Sequence, residues 1–478
     1  MPDSLPALWS QLLDFQHLEV ALVAGWALYV AGLGMWIVLQ KREPAATLAW
    51  LIGLAALPYL GFLVYYVFGP QKIDRQRLRR NRARRALPAL PAGIAASDEA
   101  VEMAHMVNAT TGLPPTSATS AAVLVDGAAK YQALLEAVAG ARDHVHLEYY
   151  IFQPDRTGTA LRDALAAKAR EGVQVRLLLD AVGSSALRRS FLQPLLAAGG
   201  EVAWFHPMRL RWFWKRPWVN LRNHRKLVVV DDRIGFTGGI NITDEQDERL
   251  CGAAYRDLHI RLEGRVVREL QLVFVEDWAY ATGTAPLPLS DFDPGRGSIA
   301  TQVVTSGPDS SWESIHRAHV GAIHAARRRV WLMTPYFVPG EAAMMALTSA
   351  ALGGLDVRLL VPRMSDSRLV TYAARSYYDR LLAAGVAIHE YGPRLLHSKV
   401  LVCDDELAIV GSANFDHRSF RLNFELSLLI RDPALVAALA RVVEHDCGAC
   451  SPVSAQRPRP LWRARLPEGL ARLVSPLL

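Results

Sequence analysis

The feature that most constrains the fold of this chain is an internal repeat. The segment Ala141–Phe152 is echoed by Ala326–Phe337, and Gly172–Asp180 is echoed by Gly354–Pro362. In each copy a helical stretch runs into an apolar, β-prone segment. The copies are about 175 to 185 residues apart, whereas solenoid repeats recur every ~20–50 residues. The chain therefore contains a duplicated domain.

Strands separated by helical stretches predict that each copy is an α/β sandwich. The 478 residues are enough for several domains. We predict a first α/β domain over 111–285 and a second over 298–450, connected by the Pro-, Gly- and Asp-rich stretch 283–297. The remaining tail, 451–478, fits either an amphipathic helix that touches a membrane or a docked terminal helix.

Two long uncharged runs lie near the N-terminus, over residues 20–39 and 45–68. Each is long enough to cross a ~30 Å hydrocarbon layer as a helix. Only a short polar loop separates them, so residues 1–70 are predicted to form a transmembrane helical hairpin. Two buried core helices are the alternative interpretation. A basic juxtamembrane linker, 71–110, is predicted to follow.

The positive charge of the chain is concentrated in that linker. The net charge is +7, and residues 72–85 contribute eight basic side chains and one acidic one. The rest of the chain is neutral overall, which argues against a nucleic-acid partner. Basic residues flank spans on the cytoplasmic side, so the α/β domains are predicted to be cytoplasmic. The cluster also suits an anionic membrane surface, or it is a solvated topology signal only.

Each half carries the same chemical groups in the same order. The first set is His224, Lys226, Asp231 and Asn241, and the second is His397, Lys399, Asp404 and Asn414. Histidine and asparagine are seventeen residues apart in both halves. Apolar residues follow each lysine, so each motif is predicted to begin a buried strand. Positions two apart share a strand face, so histidine and lysine point the same way, whereas each aspartate points away and is a structural partner more than a catalyst.

Two histidines, two lysines and two asparagines around one point suit a phosphodiester. Lysine and asparagine donors neutralise the phosphate oxygens, one imidazole attacks phosphorus, and the other protonates the leaving alkoxide. No metal or cofactor is required, because the lysines supply the positive charge. An attacking imidazole needs an acceptor on its other nitrogen. Asp257, 33 residues after His224, and Glu425, 28 residues after His397, are the candidates.

The duplicated HxKxxxxD motif resembles that of the phospholipase D superfamily, and the finer pattern is similar to bacterial cardiolipin synthases with two N-terminal helices. The segments that carry this resemblance are Arg222–Lys226, Gly411–Asp416, Arg418–Phe420, Asn423–Glu425, Pro44–Trp50, Leu57–Gly61 and Ser475–Leu478. The resemblance implies duplicated phospholipase D-type domains in a bacterial inner membrane protein. It implies that two phosphatidylglycerol molecules become cardiolipin and glycerol through a phosphatidyl-histidine intermediate. It also places Asp231 and Asp404 in the catalytic set.

Other functions remain open at this point. A phospholipase D-type hydrolase would have the same catalytic core, and phosphatidylethanolamine could serve as another phosphatidyl donor. A catalytically inactive membrane scaffold is disfavoured, because both sets of motif residues are intact. The basic and aromatic stretch 209–218 fits either a loop in the headgroup layer or one packed on its own domain. The sequence does not indicate which histidine attacks, nor does it indicate the oligomeric state.

Overall fold

The computed structural model describes residues 15–39, 44–57, 61, 98–206, 220–290, 292–310 and 312–475. The chain divides into two units. The helices within residues 15–57 belong to one, and residues 98–206 and 221–475 belong to the other. The Arg cluster of the linker, the 209–218 stretch and most of the second half of the 45–68 run lie outside the described residues.

Two helices form the N-terminal unit, α1 (Phe15–Leu39) and α2 (Pro44–Ala56). Ile37 and Leu54 are buried against each other, so the two helices pack as a pair. Among the residues described, one stretch is long and apolar enough to span a membrane, Glu19–Leu39, with a mean hydropathy of 2.0. The thirteen residues of α2 rise only ~20 Å. The structure therefore supports the first predicted span, and the second only up to where the described residues end.

The first α/β half is built on a seven-stranded sheet with the order β2-β8-β7-β6-β3-β4-β5. Its strands are β2 (Ser120–Val125), β3 (His144–Tyr149), β4 (Gln174–Asp180), β5 (Glu201–Phe205), β6 (Leu227–Val230), β7 (Ile234–Gly238) and β8 (Leu258–Glu263). Its helices are α4 (Asp126–Gly140), α5 (Arg156–Arg170), α6 (Arg189–Ala197) and α7 (Val266–Thr282). The pairs β3-β4 and β4-β5 are parallel and the other pairs are antiparallel.

The second half is built on a nine-stranded sheet with the order β1-β9-β17-β15-β14-β10-β12-β13-β18. Its strands are β1 (Thr116–Ala118), β9 (Ile299–Ser306), β10 (Arg329–Met333), β12 (Asp356–Pro362), β13 (Ala387–Tyr391), β14 (Val400–Cys403), β15 (Leu407–Gly411), β17 (Glu425–Arg431) and β18 (Cys450–Pro452). A separate short pair joins β11 (Phe337–Val338) and β16 (Phe415–Asp416). The helices are α3 (Asp98–Thr111), α8 (Ser314–Ala325), α9 (Glu341–Leu352), α10 (Arg368–Arg375), α11 (Tyr378–Ala383), α12 (His417–Arg421), α13 (Pro433–Gly448) and α14 (Leu466–Leu473).

The two sheets share one topology. The series β2-β8-β7-β6-β3-β4-β5 matches β9-β17-β15-β14-β10-β12-β13 strand by strand, and the parallel pairs fall at the same places. The prediction of a duplicated α/β fold is confirmed. Strands β6 and β14, which follow the two motif lysines, are buried at every position, because their apolar runs are covered on both faces.

Three apolar clusters hold this unit together. The central cluster combines inward residues of both sheets with α7 and α13. A second covers the outer face of the nine-stranded sheet with α8 and α9, and a third covers the outer face of the seven-stranded sheet with α4 and α5. The two halves therefore share a core, which fixes the ends of β6 and β14 relative to each other.

The predicted boundary at residue 111 differs from the structure. Helix α3 packs on the second half through Met103 and Val107, and β1 pairs with β9. Met103 and Val107 fall within the predicted linker and β1 falls within the predicted first domain, but both elements pack on the second half. Residues beyond 450 are also docked, because β18 pairs with β13 and Ala471 of α14 is buried.

Candidate active site

The segments that carry the two motif histidines are each paired with a segment of the other half. The His224 amide donates to the Phe424 carbonyl at 2.9 Å, and the Phe424 amide donates to the Arg222 carbonyl at 2.8 Å. In the equivalent exchange, the His397 amide donates to the Arg256 carbonyl at 2.8 Å. Residues 424 and 256 immediately precede the two candidate carboxylates. The backbone thus brings each histidine beside the carboxylate of the opposite half.

The carboxylate contacts are crossed between the halves. His224 Nδ1 lies 3.0 Å from Glu425 Oε1, and His397 Nδ1 lies 2.6 Å from Asp257 Oδ2. Both carboxylates are buried. The two predicted acceptors therefore do contact the motif histidines, but neither contacts the histidine that it follows in sequence. The cause is the exchange of backbone hydrogen bonds between the halves.

Burial and charge favour neutral imidazoles beside ionised carboxylates. Burial lowers the pKa of His397 to about 4, with Lys399 acting in the same direction and Asp257 opposing. Burial likewise lowers the pKa of His224. Burial alone would raise the pKa of Asp257, but the nearby Lys399 and His397 outweigh it and the net pKa is lowered. A carboxylate against Nδ1 requires the proton on that nitrogen, which leaves the Nε2 lone pair free.

The motif lysines lie behind the histidines. Lys226 Nζ donates to the His224 carbonyl at 2.7 Å, and Lys399 Nζ donates to the His397 carbonyl. Burial lowers the pKa of both, that of Lys226 to about 7. Neither lysine lines the cavity that the histidines face. The lysines therefore influence a bound anion through their charge and not by direct contact in the cavity. Within the described part of the chain, no group of three or more His, Cys, Asp or Glu side chains is placed to hold a metal ion.

Both histidines open onto one cavity of about 410 Å³. Its walls include Tyr150, Arg222, His224, Asn241, Glu245, Gln246, Tyr255, Tyr336, Asp366, Val370, His397, Asn414, Arg418 and Asn423. The Tyr150 ring stands edge-on to His224 at 4.9 Å, and the Tyr255 ring lies 5.5 Å from that of His397. A volume of this size is typical of a small-ligand site.

The two motif asparagines line the cavity as expected. The backbone N–H of Asn241 donates to Gln246 Oε1 at 2.5 Å, and the backbone N–H of Asn414 donates to Ser419 Oγ at 3.1 Å. These bonds fix the backbone and leave the asparagine side chains at the cavity wall. Asn414 is 5% exposed and its Oδ1 has no hydrogen-bond partner among the described residues. A buried polar atom without a partner is costly, so this wall is arranged for a polar ligand.

The motif aspartates are not part of the site, which corrects their placement in the catalytic set. Asp231 accepts the backbone amides of Arg142 and Asp143, each at 2.8 Å. Asp404 does the same for Arg327 and Arg328 at 2.8 Å. Each aspartate follows the far end of its strand and anchors the chain where β3 or β10 begins. Four intervening residues put it ~15 Å along the strand from the lysine.

The chain is similar to known proteins over almost its full length. The model of the family described as "Cardiolipin synthase, PLD-like domain" matches residues 134–252 and 320–447, and a phospholipase D-nuclease N-terminal model matches 27–70. A cardiolipin synthase of Geobacillus thermodenitrificans is 40% identical over 92% of this chain and 91% of its own length. The major cardiolipin synthase of Bacillus subtilis is 38% identical over 92% of this chain and 95% of its own.

The chain belongs to the cardiolipin synthase family. Its fold is also that of a phosphatidylserine synthase from Haemophilus influenzae, whose crystal structure covers 79% of this chain and is itself fully covered, with a TM-score of 0.60 and 14% identity. The family-model matches fall one on each half, as the repeat requires.

Several site residues of this cardiolipin synthase family member were missed by sequence reasoning. Gln246 and Ser419 each follow the motif asparagine by five residues, so a comparison of the two halves could have found them. Tyr336 donates to Asp366 at 2.7 Å at the cavity wall. These two residues have no like residue in the first half, and no sequence signal marked them.

Proposed function

We propose that this protein is a cardiolipin synthase that transfers a phosphatidyl group between two phosphatidylglycerol molecules, giving cardiolipin and glycerol. The observation that carries the proposal is the meeting of His224 and His397 at one cavity, each with its Nδ1 held by a buried carboxylate. Two imidazoles at one phosphorus can divide nucleophilic attack and proton transfer between them.

In the first step, Nε2 of one histidine attacks the phosphorus of a phosphatidylglycerol. The bond from phosphorus to the glycerol oxygen breaks, and that oxygen takes a proton from the other histidine. Burial alone favours the neutral form of this histidine, and the negative charge of the bound phosphodiester raises its pKa and favours the protonated form. Glycerol leaves, and the phosphatidyl group stays on the first imidazole. Asn241 and Asn414, at the cavity wall, donate to the phosphate oxygens, and the buried lysines stabilise the added negative charge.

In the second step, the neutral second histidine takes the proton from a glycerol hydroxyl of another phosphatidylglycerol. That oxygen attacks phosphorus, the bond to the first imidazole breaks, and cardiolipin is released. The carboxylates Glu425 and Asp257 keep each imidazole in one tautomer through both steps. Both histidines are thereby returned to their starting protonation states.

A hydrolase of the same superfamily would resolve the intermediate with water, and a donor such as phosphatidylethanolamine would release another alcohol. Phosphodiester exchange is close to thermoneutral, so a synthase also runs backwards. We expect the purified protein in phosphatidylglycerol membranes to form cardiolipin, and labelled glycerol to be incorporated into phosphatidylglycerol when cardiolipin is supplied. Phosphatidic acid as the main product, with no incorporation of glycerol, would establish the hydrolase in place of the synthase.

The proposal includes a location. Helix α1 crosses a bacterial inner membrane, the 45–68 run returns through it, and the α/β unit lies in the cytoplasm. The apolar composition of Glu19–Leu39 and the Arg-rich stretch that follows the second run support this arrangement. The same arginines face an anionic membrane surface. Replacing the seven arginines of 75–85 with glutamine would then weaken binding to anionic vesicles most strongly at low salt.

A further inference from the structure

The last described helix, α14, is docked on the second half by one face. Ala471 is buried, and Tyr377 Oη donates to Ser475 Oγ at 3.2 Å. Glu468 is buried as well, and it is paired with Arg457 and Arg459 at 3.1 and 2.8 Å. The helix therefore has a fixed orientation, and its outward face is defined.

The outward face of α14 and of residues 461–465 before it is apolar. Trp462 is 76% exposed, Leu470 is 55% exposed and Leu473 is 77% exposed, with Leu461 and Leu466 exposed beside them. The spacing of 466, 470 and 473 places these leucines in one stripe along the helix. Tryptophan and leucine together on a surface stripe are typical of a helix that lies in a membrane interface.

The exposed charged side chains of residues 461–474 are all positive. Arg463, Arg465 and Arg472 are exposed, and the acidic residue of the segment, Glu468, is buried in the ion pairs on the inner side. An apolar stripe flanked by exposed arginines is complementary to a bilayer with anionic headgroups. A protein partner would not require an apolar stripe to be flanked by arginines, whereas a bilayer with anionic headgroups favours that arrangement.

The helix that carries the stripe packs on an element that contributes to the wall of the catalytic cavity. Helix α14 packs against α10, and Val370 of α10 lines the cavity, as does Asp366 just before it. Met364, two residues before Asp366, and Leu369, directly before Val370, are exposed apolar side chains as well. Exposed apolar side chains are thus present both on the C-terminal segment and near the rim of the cavity, and α10 connects the two places.

We propose that residues 461–474 form an interfacial docking element that seats on an anionic phospholipid bilayer and holds the cavity mouth at the lipid surface. The contact with the bilayer is independent of the reaction, whereas its use for presenting lipid to the cavity rests on the proposed function. The leucines of this element insert only to the depth of the headgroup boundary. The element therefore positions the cavity at the membrane surface and does not replace the N-terminal helix as a membrane anchor.

The test places a polarity-sensitive fluorophore on full-length protein in single-copy nanodiscs. Leu470→Cys is labelled in a chain whose partly exposed Cys251, Cys447 and Cys450 are serine. The matched control is Leu352→Cys. Leu352 is 73% exposed and precedes the start of β12, whereas the cavity rim follows the end of that strand.

In discs that contain phosphatidylglycerol, we expect the label at 470 to be blue-shifted and quenched several-fold more by brominated acyl chains than the label at 352. The difference should shrink in phosphatidylcholine discs, or when Arg463 and Arg465 are replaced by glutamine. Equal quenching of both labels by aqueous iodide would overturn the proposal. So would shielding at 470 that appears only in discs with two copies, because the stripe would then cover a second protein. The readout is position and not turnover, so a failure here leaves the synthase proposal standing.

Discussion

His224 and His397 face one cavity from opposite halves, and the proposed exchange uses both in each step. Replacing either with alanine should therefore abolish cardiolipin formation, by more than the ~10²–10⁴-fold that a general acid or base contributes alone. The measurement is conversion of labelled phosphatidylglycerol in proteoliposomes. Near-normal turnover by either variant would contradict the two-histidine mechanism.

Because each carboxylate contacts the histidine of the opposite half, its replacement should change the pKa of that histidine and not of the histidine in its own half. Asp257 raises the pKa of His397 against the effect of burial, so Asp257→Asn should lower that pKa further and leave His224 unaffected. Glu425→Gln should lower the pKa of His224 instead. Ring nitrogen NMR of each variant across pH would show which histidine changes. We expect activity to fall roughly 10²–10⁴-fold in both, and a shift of the histidine in the same half would contradict the crossed pairing.

At the residue scale, the sequence predicted the two histidines and two asparagines that the structure places at one cavity, and the two carboxylates that contact the histidines. It could not identify which carboxylate contacts which histidine, because that depends on backbone bonds between residues 200 positions apart, such as His224 and Phe424. Neither strand periodicity nor motif spacing carries information on such pairing. The structural role of each motif aspartate did follow from the spacing.

At the scale of elements, the motif aspartates hold the starts of strands β3 and β10 by accepting hydrogen bonds from their backbone amides. The backbone amides of residues 327, 328 and 329 hold the pKa of Asp404 below its usual range, although burial opposes this. We expect Asp404→Ala to lower the free energy of unfolding by about 1–3 kcal/mol. The contribution is present above pH ~4 and is lost as the pH falls through the lowered pKa.

Asp405→Ala is the matched control for this prediction. Asp405 is exposed and pairs with Arg328 and Arg329 at the surface, where an ion pair contributes less than ~1 kcal/mol. Chemical denaturation of the two variants in the same detergent would compare them. If Asp405→Ala were the more destabilising, the anchoring role of Asp404 would be wrong.

The duplication of the α/β fold was predicted from the repeat, since the apolar strands recur at matching places in both halves. The position of α3 and β1 was not. The sequence placed α3 in the linker and β1 in the first domain, but Met103 and Val107 of α3 fill an apolar surface on the second half and β1 pairs with β9 there. Local composition indicates that a helix is amphipathic and does not indicate which of two similar cores it covers.

At the scale of the whole molecule, buried neutral histidines make the fold sensitive to acid. Burial lowers the pKa of His146 to about 3 and those of His206 and His319 to about 4. In the unfolded chain these side chains titrate near ~6.5. Between these pH values the unfolded state binds more protons, so stability falls as the pH is lowered from ~6.5 towards 4.

The melting temperature should therefore decrease steadily between pH 7 and pH 5, before most carboxylates titrate. His319→Gln should reduce the slope of this decrease. Scanning calorimetry of the protein and the variant at several pH values would measure both slopes. A melting temperature that is constant over this range would show that these histidines do not govern acid stability.

The exchange of carboxylates also bears on how such a chain could have arisen. A chain with a single copy of the motif would hold a histidine without its acceptor and an acceptor without its histidine. It could assemble this site only by pairing with an identical chain about a two-fold axis. Fusion of the two copies removes the dependence on concentration, and it then allows the copies to diverge, as Gly239 and Ser412 have done beside Asp257 and Glu425. Replacing the carboxylate of either copy therefore changes the surroundings of the histidine of the other copy.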